Sequence, residues 1–554
     1  LALFKSLMEE PEFRDHDDVG LVIQAYLREA ERDLDDLLAW AQRRRGRVTV
    51  RLVKGAYWDY ETVLARQRGW PVPVFLHKAE TDANLERLTV TLLRHERHVR
   101  LALGTHNVRS IAHALVQARR LGVDPRSFEL QMLHGMAEPI KAALVRLGLR
   151  VREYAPVGEL LPGMGYLVRR LLENTSNEGF LRAKFAAHQA AETLLRDPAE
   201  GVLSLSRETK AASSPRREFQ NEPWADFTQP ANRAALREGL ELVRQQLGRT
   251  YPLVIGKKEV PTADHTVSLN PACPNQVVGR VARATLADAA AAVEAARGAW
   301  SAWRRTSTET RAGVLEKAAE IMRARRFELA AWEVFEVGKP WREADADVTE
   351  AIDFCRFYAQ AMRRLDRPTR TAHVPGESCH AEYRPRGVGV VIAPWNFPLA
   401  ILCGMTSAAL VTGNTVVMKP AEPSAVIGYR LMEIFREAGL PAGVLNYLPG
   451  RGADIGAALV EHPAVAFIAF TGSKEVGLKI FESAGRTGPG QAHLKHVVCE
   501  MGGKNAIIVD RDADLDEAVP GALQSAFGYA GQKCSALSRL IVLEPVYERT
   551  LARL

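Results

Sequence analysis

GVGVVIAPWNFP, residues 387–398, runs from an apolar, strand-like stretch into a proline-bounded turn that holds Asn396 and Phe397. NTVVMKPAEPS (414–424) and VAFIAFTGSKEVG (465–477) repeat the pattern: an apolar strand, a turn with Pro or Gly, then the start of a helix. Apolar runs bounded by such breakers read as buried strands, and strands alternating with helices imply a parallel sheet. A doubly wound, nucleotide-binding α/β layout is therefore expected from residue 219 onward. Long Ala-rich helices precede the strand units, among them ATLADAAAAVEAARGAWSAW and VLEKAAEIMRARRFELAAWEVFE.

Working outward, residues 19 to about 158 alternate differently. The apolar stretches VGLVIQAYL, RVTVRLVKGAYW, HVRLALGTHN, FELQMLHGM and LRVREYAPVG are separated by amphipathic segments such as NVRSIAHALVQARRLG. They predict five strands of a (β/α)8 barrel, three short of closure. Polar residues mark the strand ends, where such a barrel keeps its active site: Gln24, Lys54 with Tyr57, Thr105 with His106 and Asn107, His134, and Tyr154. PVPVF (71–75) is a poor barrel strand because of its two prolines. Residues 187–218 are charged and Ser-containing and read as a linker, so the expected division is 1–186, 187–218, 219–495 and 496–554. Residue 1 is Leu rather than Met, and the sequence reading expects an excerpt of a longer chain.

Bulk composition narrows the classes. The 554 residues are 47% hydrophobic and 25% charged, ordinary for a globular chain of two to four domains. Six cysteines stand without CxxC pairs or metal-ligand spacing, so neither a disulfide framework nor a zinc site is expected, and a reducing cytoplasm fits. No apolar run is long enough for a membrane span, and the start holds no secretory h-region. The net charge of +7 is spread through helical stretches, with RRRGR (43–47) the one run, which argues against DNA binding and for a solvated helix end.

The chemistry of the second half gathers in the turns. In FTGSKEVG, Gly472 permits a tight turn and Ser473 can cap the helix, whose N-terminus favours a phosphate. Lys419 and Glu422 follow the strand NTVVM at the carboxyl edge, placed either to hydrogen-bond the hydroxyls of a ribose or to form a surface ion pair. Cys534, in GYAGQKCSALSRL (528–540), sits among small residues and reads either as a buried core thiol or as a nucleophile. A nucleophilic thiol needs oxyanion donors and a base; its own N–H with Asn396, and Glu500, are the candidates.

PWNFP, KPAE, FTGS, EMGGKN and then GQKC, 34 residues beyond Glu500 (534 − 500), resemble the signature set of the aldehyde dehydrogenase superfamily, in its order. The resemblance implies attack by Cys534, hydride transfer to NAD, and hydrolysis assisted by Glu500, with residues 496–554 opening the catalytic domain. EAIDFCRFYA and GQKCSA are most similar to the glutamate-semialdehyde dehydrogenase branch. That branch implies Glu350 and Ser535 at the charged end of the substrate and Phe397 along its aliphatic part, although Glu350 also fits a solvated helix face.

In the first half, VIQAY, RLVKGAYWD, LGTHN, LHGM, YAPVG and YLVRRLLENTSN together resemble proline dehydrogenase, an FAD-dependent barrel enzyme. Arg169 and Arg170 fit bidentate capture of the proline carboxylate, and Tyr57 and Tyr154 fit flat walls for its ring. The resemblance implies Gln24, Arg51 and Lys54 near the isoalloxazine, and Thr105, His106, Asn107, Gln131 and Glu173 toward the rest of FAD. The GTHN turn reads equally as a helix cap, and paired arginines as a solvated face.

The two halves in this order resemble the bifunctional proline utilization A family, which implies oxidation of proline through pyrroline-5-carboxylate and glutamate semialdehyde to glutamate. It also implies a quinone acceptor at the membrane surface and a homo-oligomer. With strands of the barrel and the tail of the second enzyme missing, the stretch by itself is expected to be poorly active. Three alternatives stand beside this: a barrel fused to an aldehyde dehydrogenase of other specificity, a DNA-binding regulator, and an inactive remnant.

Overall fold

A computed structural model describes residues 1–44, 46–158, 163–165, 168, 195–200, 202 and 219–554. The chain divides into two compact units, Leu1–Arg217 and Glu218–Leu554.

The first unit is built on a parallel sheet of five strands in sequence order: β1 (Val19–Gln24), β2 (Val48–Val53), β3 (Val99–Gly104), β4 (Glu129–Leu133) and β5 (Val151–Tyr154). The period of two sets their faces: β2 buries Val48, Val50 and Leu52 and turns Thr49, Arg51 and Val53 to the other side. Register leaves the strand ends flush, since Gln24 pairs with Val53, Val53 with Gly104, and Gly104 with Gln131. The residues after them, Lys54 and Thr105, therefore emerge along one carboxyl edge. Gly55 is required at its turn: its φ is 142°, and a Cβ there would meet the Tyr26 ring at 2.4 Å. Helices such as Lys78–Arg94 pack Leu85, Leu88 and Leu92 into the same core as Leu34 and Leu37. The segment 71–75 forms no barrel strand; Val74 makes an isolated antiparallel bridge to Leu27. Most of the linker 187–218 lies outside the described residues.

The second unit centres on a seven-stranded sheet in the order His496–Glu500, Val465–Thr471, Val388–Ile392, Thr415–Lys419, Leu445–Tyr447, Leu253–Ile255, Lys258–Val260. Its first five are parallel, and the last two are joined antiparallel. Among the five parallel strands, chain order begins at Val388–Ile392, moves outward to Leu445–Tyr447, then crosses to Val465–Thr471 on the opposite side. The topological switch point thus falls between Val388–Ile392 and Val465–Thr471, and a doubly wound sheet opens its binding crevice beyond the carboxyl ends of such strands. Thr415–Lys419 is buried at every position, as a central parallel strand must be. His496–Glu500, which the expected division set with the catalytic domain, pairs with Val465–Thr471 as the edge of the seven-stranded sheet, while Asn505–Val509 and Leu537–Val542 form a separate parallel pair.

Candidate functional site

In the first unit the carboxyl edge gathers a chain of charged and polar groups. Arg51 Nε donates to Gln131 Oε1 at 3.0 Å, and its guanidinium lies 5.9 Å from the Tyr154 ring centroid. Gln131 Nε2 in turn donates to Glu129 at 3.2 Å, and Arg152 holds the same carboxylate through two bonds of 2.8 and 2.6 Å. The Arg152 bonds, ahead of its burial, hold the Glu129 carboxyl below the usual range. Lys54 pairs with Asp82, which also takes Lys78 at 2.5 Å. Burial pushes the Lys54 ammonium below its ordinary value, although Asp82 opposes the change.

The GTHN turn is partly structural. Thr105 Oγ accepts from Asn107 N at 3.1 Å, and Asn107 Oδ1 accepts from Arg109 N at 2.9 Å, which caps the helix Val108–Leu121. His106 Nε2 accepts from Leu133 N at 3.1 Å, which leaves the proton of the neutral ring on Nδ1. Gln24 ends β1 half-buried, while Tyr57 and Tyr154 are about half exposed. Arg169, Arg170 and Glu173 lie outside the described residues. The donor set of Arg51, Lys54, Gln24 and Gln131 on one strand edge fits a carbonyl-rich, electron-accepting ring such as that of FAD.

In the second unit the switch-point crevice receives three turns. Gly472 N donates to the Glu500 carbonyl at 3.0 Å, and Ser473 caps Lys474–Ala484 by accepting from Val476 N at 3.3 Å. The reason for Gly472 differs from the sequence expectation: its φ is not among the positive ones, but a Cβ would meet the Phe470 ring at 2.6 Å. Lys419 ends its strand buried, with its ammonium 3.5 Å from the Pro420 carbonyl, long for a hydrogen bond. Burial lowers its pKa, and Glu422, opening the next turn, works against that. A buried ammonium with a single long contact among the described residues, beside a half-buried carboxylate, suits the paired hydroxyls of the NAD ribose.

The Cys534 turn is tied down on several sides. Asn396 Nδ2 donates to the Gln532 carbonyl at 2.8 Å, joining the PWNFP turn to the residues just before the thiol. Asn505 Nδ2 donates to the Cys534 carbonyl at 2.7 Å and the Ala536 carbonyl at 3.2 Å. Lys533 pairs with Glu343 at 2.7 Å. Tyr529, Ala530 and Gly531 take φ values of 51°, 54° and 70°, a run of left-handed backbone that two non-glycines adopt only under external constraint. Cys534 and Ser535 are exposed, which excludes the buried core reading of the thiol. Glu500 is exposed at the end of the edge strand. Phe397 is half-buried beside Asn396. Glu350 lies on the outer side of the helix Trp341–Leu365, where partial desolvation and then Asp347 push its carboxyl up.

Asn505 belongs to the EMGGKN signature, so the motif contained its signal without its role. Glu343 carried no signal in the sequence.

One buried acid braces the cofactor edge. Glu336 accepts from Val426 N and Ile427 N, each at 2.8 Å, and from Ser268 Oγ at 3.1 Å, so it caps the helix Ala425–Glu437 that follows Glu422. Burial nevertheless raises its pKa from 4.5 to about 7, because desolvation outweighs the three donors. The folded state therefore binds this proton more tightly than the unfolded chain between those values. That contribution is full below the unfolded pKa and is lost as pH rises through the folded one, on the order of 3 kcal/mol in all. Glu336→Gln is expected to flatten the fall in melting temperature of this unit between pH 5 and 7.5, measured by calorimetry; an unchanged slope would assign the pH dependence to other groups.

The aldehyde dehydrogenase family model matches residues 260–554, and the chain belongs to that family. The proline dehydrogenase model matches residues 1–183, ahead of it. The same two-unit make-up is shared with proline utilization A from Bdellovibrio bacteriovorus, solved after inactivation by N-propargylglycine: it is 50% identical, with a TM-score of 0.91 over 100% of this chain and 57% of that one. The 1-pyrroline-5-carboxylate dehydrogenase of Geobacillus kaustophilus is 52% identical over 335 residues, 60% of this chain and 65% of the relative. The Thermus enzyme of that name, solved with bound NAD, is 52% identical with a TM-score of 0.60, covering 61% of this chain and 66% of that one. The chain thus spans less than two thirds of the length of these relatives.

Proposed function

We propose that the native protein oxidises proline to glutamate in two steps, with FAD in the first unit and NAD in the second. The observation that carries the second step is the Asn396–Gln532 hydrogen bond, which ties an amide donor to the turn presenting an exposed thiol.

In this reading Cys534 loses its thiol proton to solvent and bonds through Sγ to the carbonyl carbon of glutamate semialdehyde, whose C=O π pair moves onto the oxygen. The oxyanion so formed accepts from the Cys534 N–H and from Asn396 Nδ2, which has a second hydrogen beyond the one given to Gln532. Bound NAD supplies the hydride acceptor. Lys419 and Glu422 would hold its ribose, and Gly472 and Ser473, at a helix N-terminus, would take its phosphates. Glu500 then takes a proton from the water that attacks the thioester; the C–S bond breaks and the sulfur is released. Phe397 packs along the aliphatic chain, and Ser535 and Glu350 meet its charged end.

In the first unit, Arg169 and Arg170 grip the proline carboxylate and Tyr57 and Tyr154 flank its ring. Bound FAD supplies the two-electron acceptor. Arg51, aligned by Gln131, would supply positive charge to the flavin, and Gln24, Lys54, Thr105, His106, Asn107 and Glu173 would hold it. The resemblance alone supports a quinone-class acceptor at the membrane surface, a cytoplasmic location and a homo-oligomer. Among the described residues, no helix is long and apolar enough to cross a membrane.

Native protein given proline, an electron-accepting dye and NAD is expected to reduce both, whereas pyrroline-5-carboxylate supports NADH formation alone. Faster NADH formation from simple aliphatic aldehydes than from pyrroline-5-carboxylate would favour an aldehyde dehydrogenase of other specificity.

A further inference from the structure

Beneath the turns that carry Asn396 and Cys534 lies a buried ionic cluster that the chemistry above does not use. Lys339 is fully buried in the link between the helices Arg326–Val337 and Trp341–Leu365, fixed by Gly338 at φ 67° and by Pro340. Its ammonium stands 3.2 Å from Asp347 and 3.5 Å from Glu333, both fully buried.

Each side of the cluster reaches one of the two turns. The Lys339 ammonium lies 4.3 Å from the centroid of the Phe397 ring and 5.5 Å from that of Tyr529. Asp347 accepts from Leu399 N and Ala400 N, each at 3.3 Å, and so caps the helix that leaves the PWNFP turn. Tyr529, first residue of the left-handed run before Cys534, donates its hydroxyl proton to the Val337 carbonyl at 2.9 Å, two residues from Lys339.

We propose that Lys339, balanced by Asp347 and Glu333, is a positioning residue that locks the Asn396–Phe397 turn against the turn presenting Cys534. The inference rests on the aldehyde-oxidising reading above. A desolvated cation facing two rings favours one separation of the turns that bear them, because moving either ring loses a cation–π contact that no water replaces at a buried site. Burial alone would lower the Lys339 pKa, but Asp347 and Glu333 reverse this and hold it above its ordinary value. Burial, then Asp347, pushes the Glu333 carboxyl well up.

The test is amide hydrogen exchange on native protein and on Lys339→Met, followed over residues 393–399 and 528–534, with the central strand 415–419 as internal reference. Exchange about tenfold faster in both turns, with the strand unchanged, is the expected result. In the same variant kcat for aldehyde oxidation falls about tenfold or more while the KM for NAD stays within about twofold, since misplaced groups lose rate before they lose cofactor binding. Unchanged exchange in the turns, or equal acceleration throughout the unit, would overturn the proposal. Should the single variant fold poorly, Lys339→Met with Glu333→Gln removes one of the carboxyls left uncompensated and is read by the same criteria. The exchange pattern does not depend on turnover, so a native protein inactive on the aldehyde defeats the functional reading and leaves the positional result standing on its own.

Discussion

Cys534→Ala is expected to reduce NADH formation from pyrroline-5-carboxylate by about a thousandfold or more, because no other group in the turn can make the covalent bond to the carbonyl carbon. Neighbouring Ser535 is exposed, yet a hydroxyl is a much weaker nucleophile than a thiol and does not replace it. Proline-dependent dye reduction should stay within about twofold of native, since that chemistry belongs to the other unit, with its own core. The backbone should hold as well. The ties to this turn run through the Gln532, Cys534 and Ala536 carbonyls and the Lys533 ammonium, none of which the substitution removes. Loss of both activities together would mean that the residue supports the fold of the whole protein rather than one reaction.

Asn396→Ala is expected to lower kcat for aldehyde oxidation by about a hundredfold to a thousandfold, the usual cost of one oxyanion donor. The substitution also deletes the 2.8 Å bond to Gln532, so a lost tether contributes about 1 kcal/mol to stability as well. Asn396→Asp keeps the size of the side chain and removes both Nδ2 donations, to Gln532 and to the oxyanion, so kcat should stay low while substrate and NAD KM values change little, and the melting temperature reads the lost tether. Steady-state kinetics on both variants checks this. Near-native kcat for Asn396→Asp would show that the side chain fills space and donates nothing to the reaction.

Much of this was legible because the chemistry sits where the chain changes from strand to helix. The apolar runs ending in PWNFP, KPAEPS and FTGSKE announce buried strands, and their breakers announce the turns that hold Asn396, Lys419 and Ser473. Lateral strand order was not legible, since each run resembles the next; the crossing from Leu445–Tyr447 to Val465–Thr471 appears only once partners are paired. In the first unit the ends of β1 to β5 were readable, whereas Asp82 was not: it sits in a helix whose polar residues look solvated until Lys54 closes on it.

The buried charges show the same limit. Glu333, Glu336 and Asp347 lie in helices whose sequence alone places acids at the surface, and tertiary packing turns them inward. Lys339 stood in GKP, a turn-like triplet whose punctuation was clear and whose burial was not. Gly472 illustrates the converse, a residue singled out for a tight turn whose lack of a side chain the close Phe470 ring explains.

The central claim, that Cys534 carries the acyl group, is tested most directly by mass spectrometry of the peptide spanning residues 528–540 from Glu500→Gln protein, acid-quenched within one turnover with NAD and glutamate semialdehyde. Removing the base that activates water should let the thioester accumulate, so the account predicts a glutamyl adduct on Cys534. NADH formed in the burst with no adduct on that peptide, or with the adduct on another residue, would contradict it.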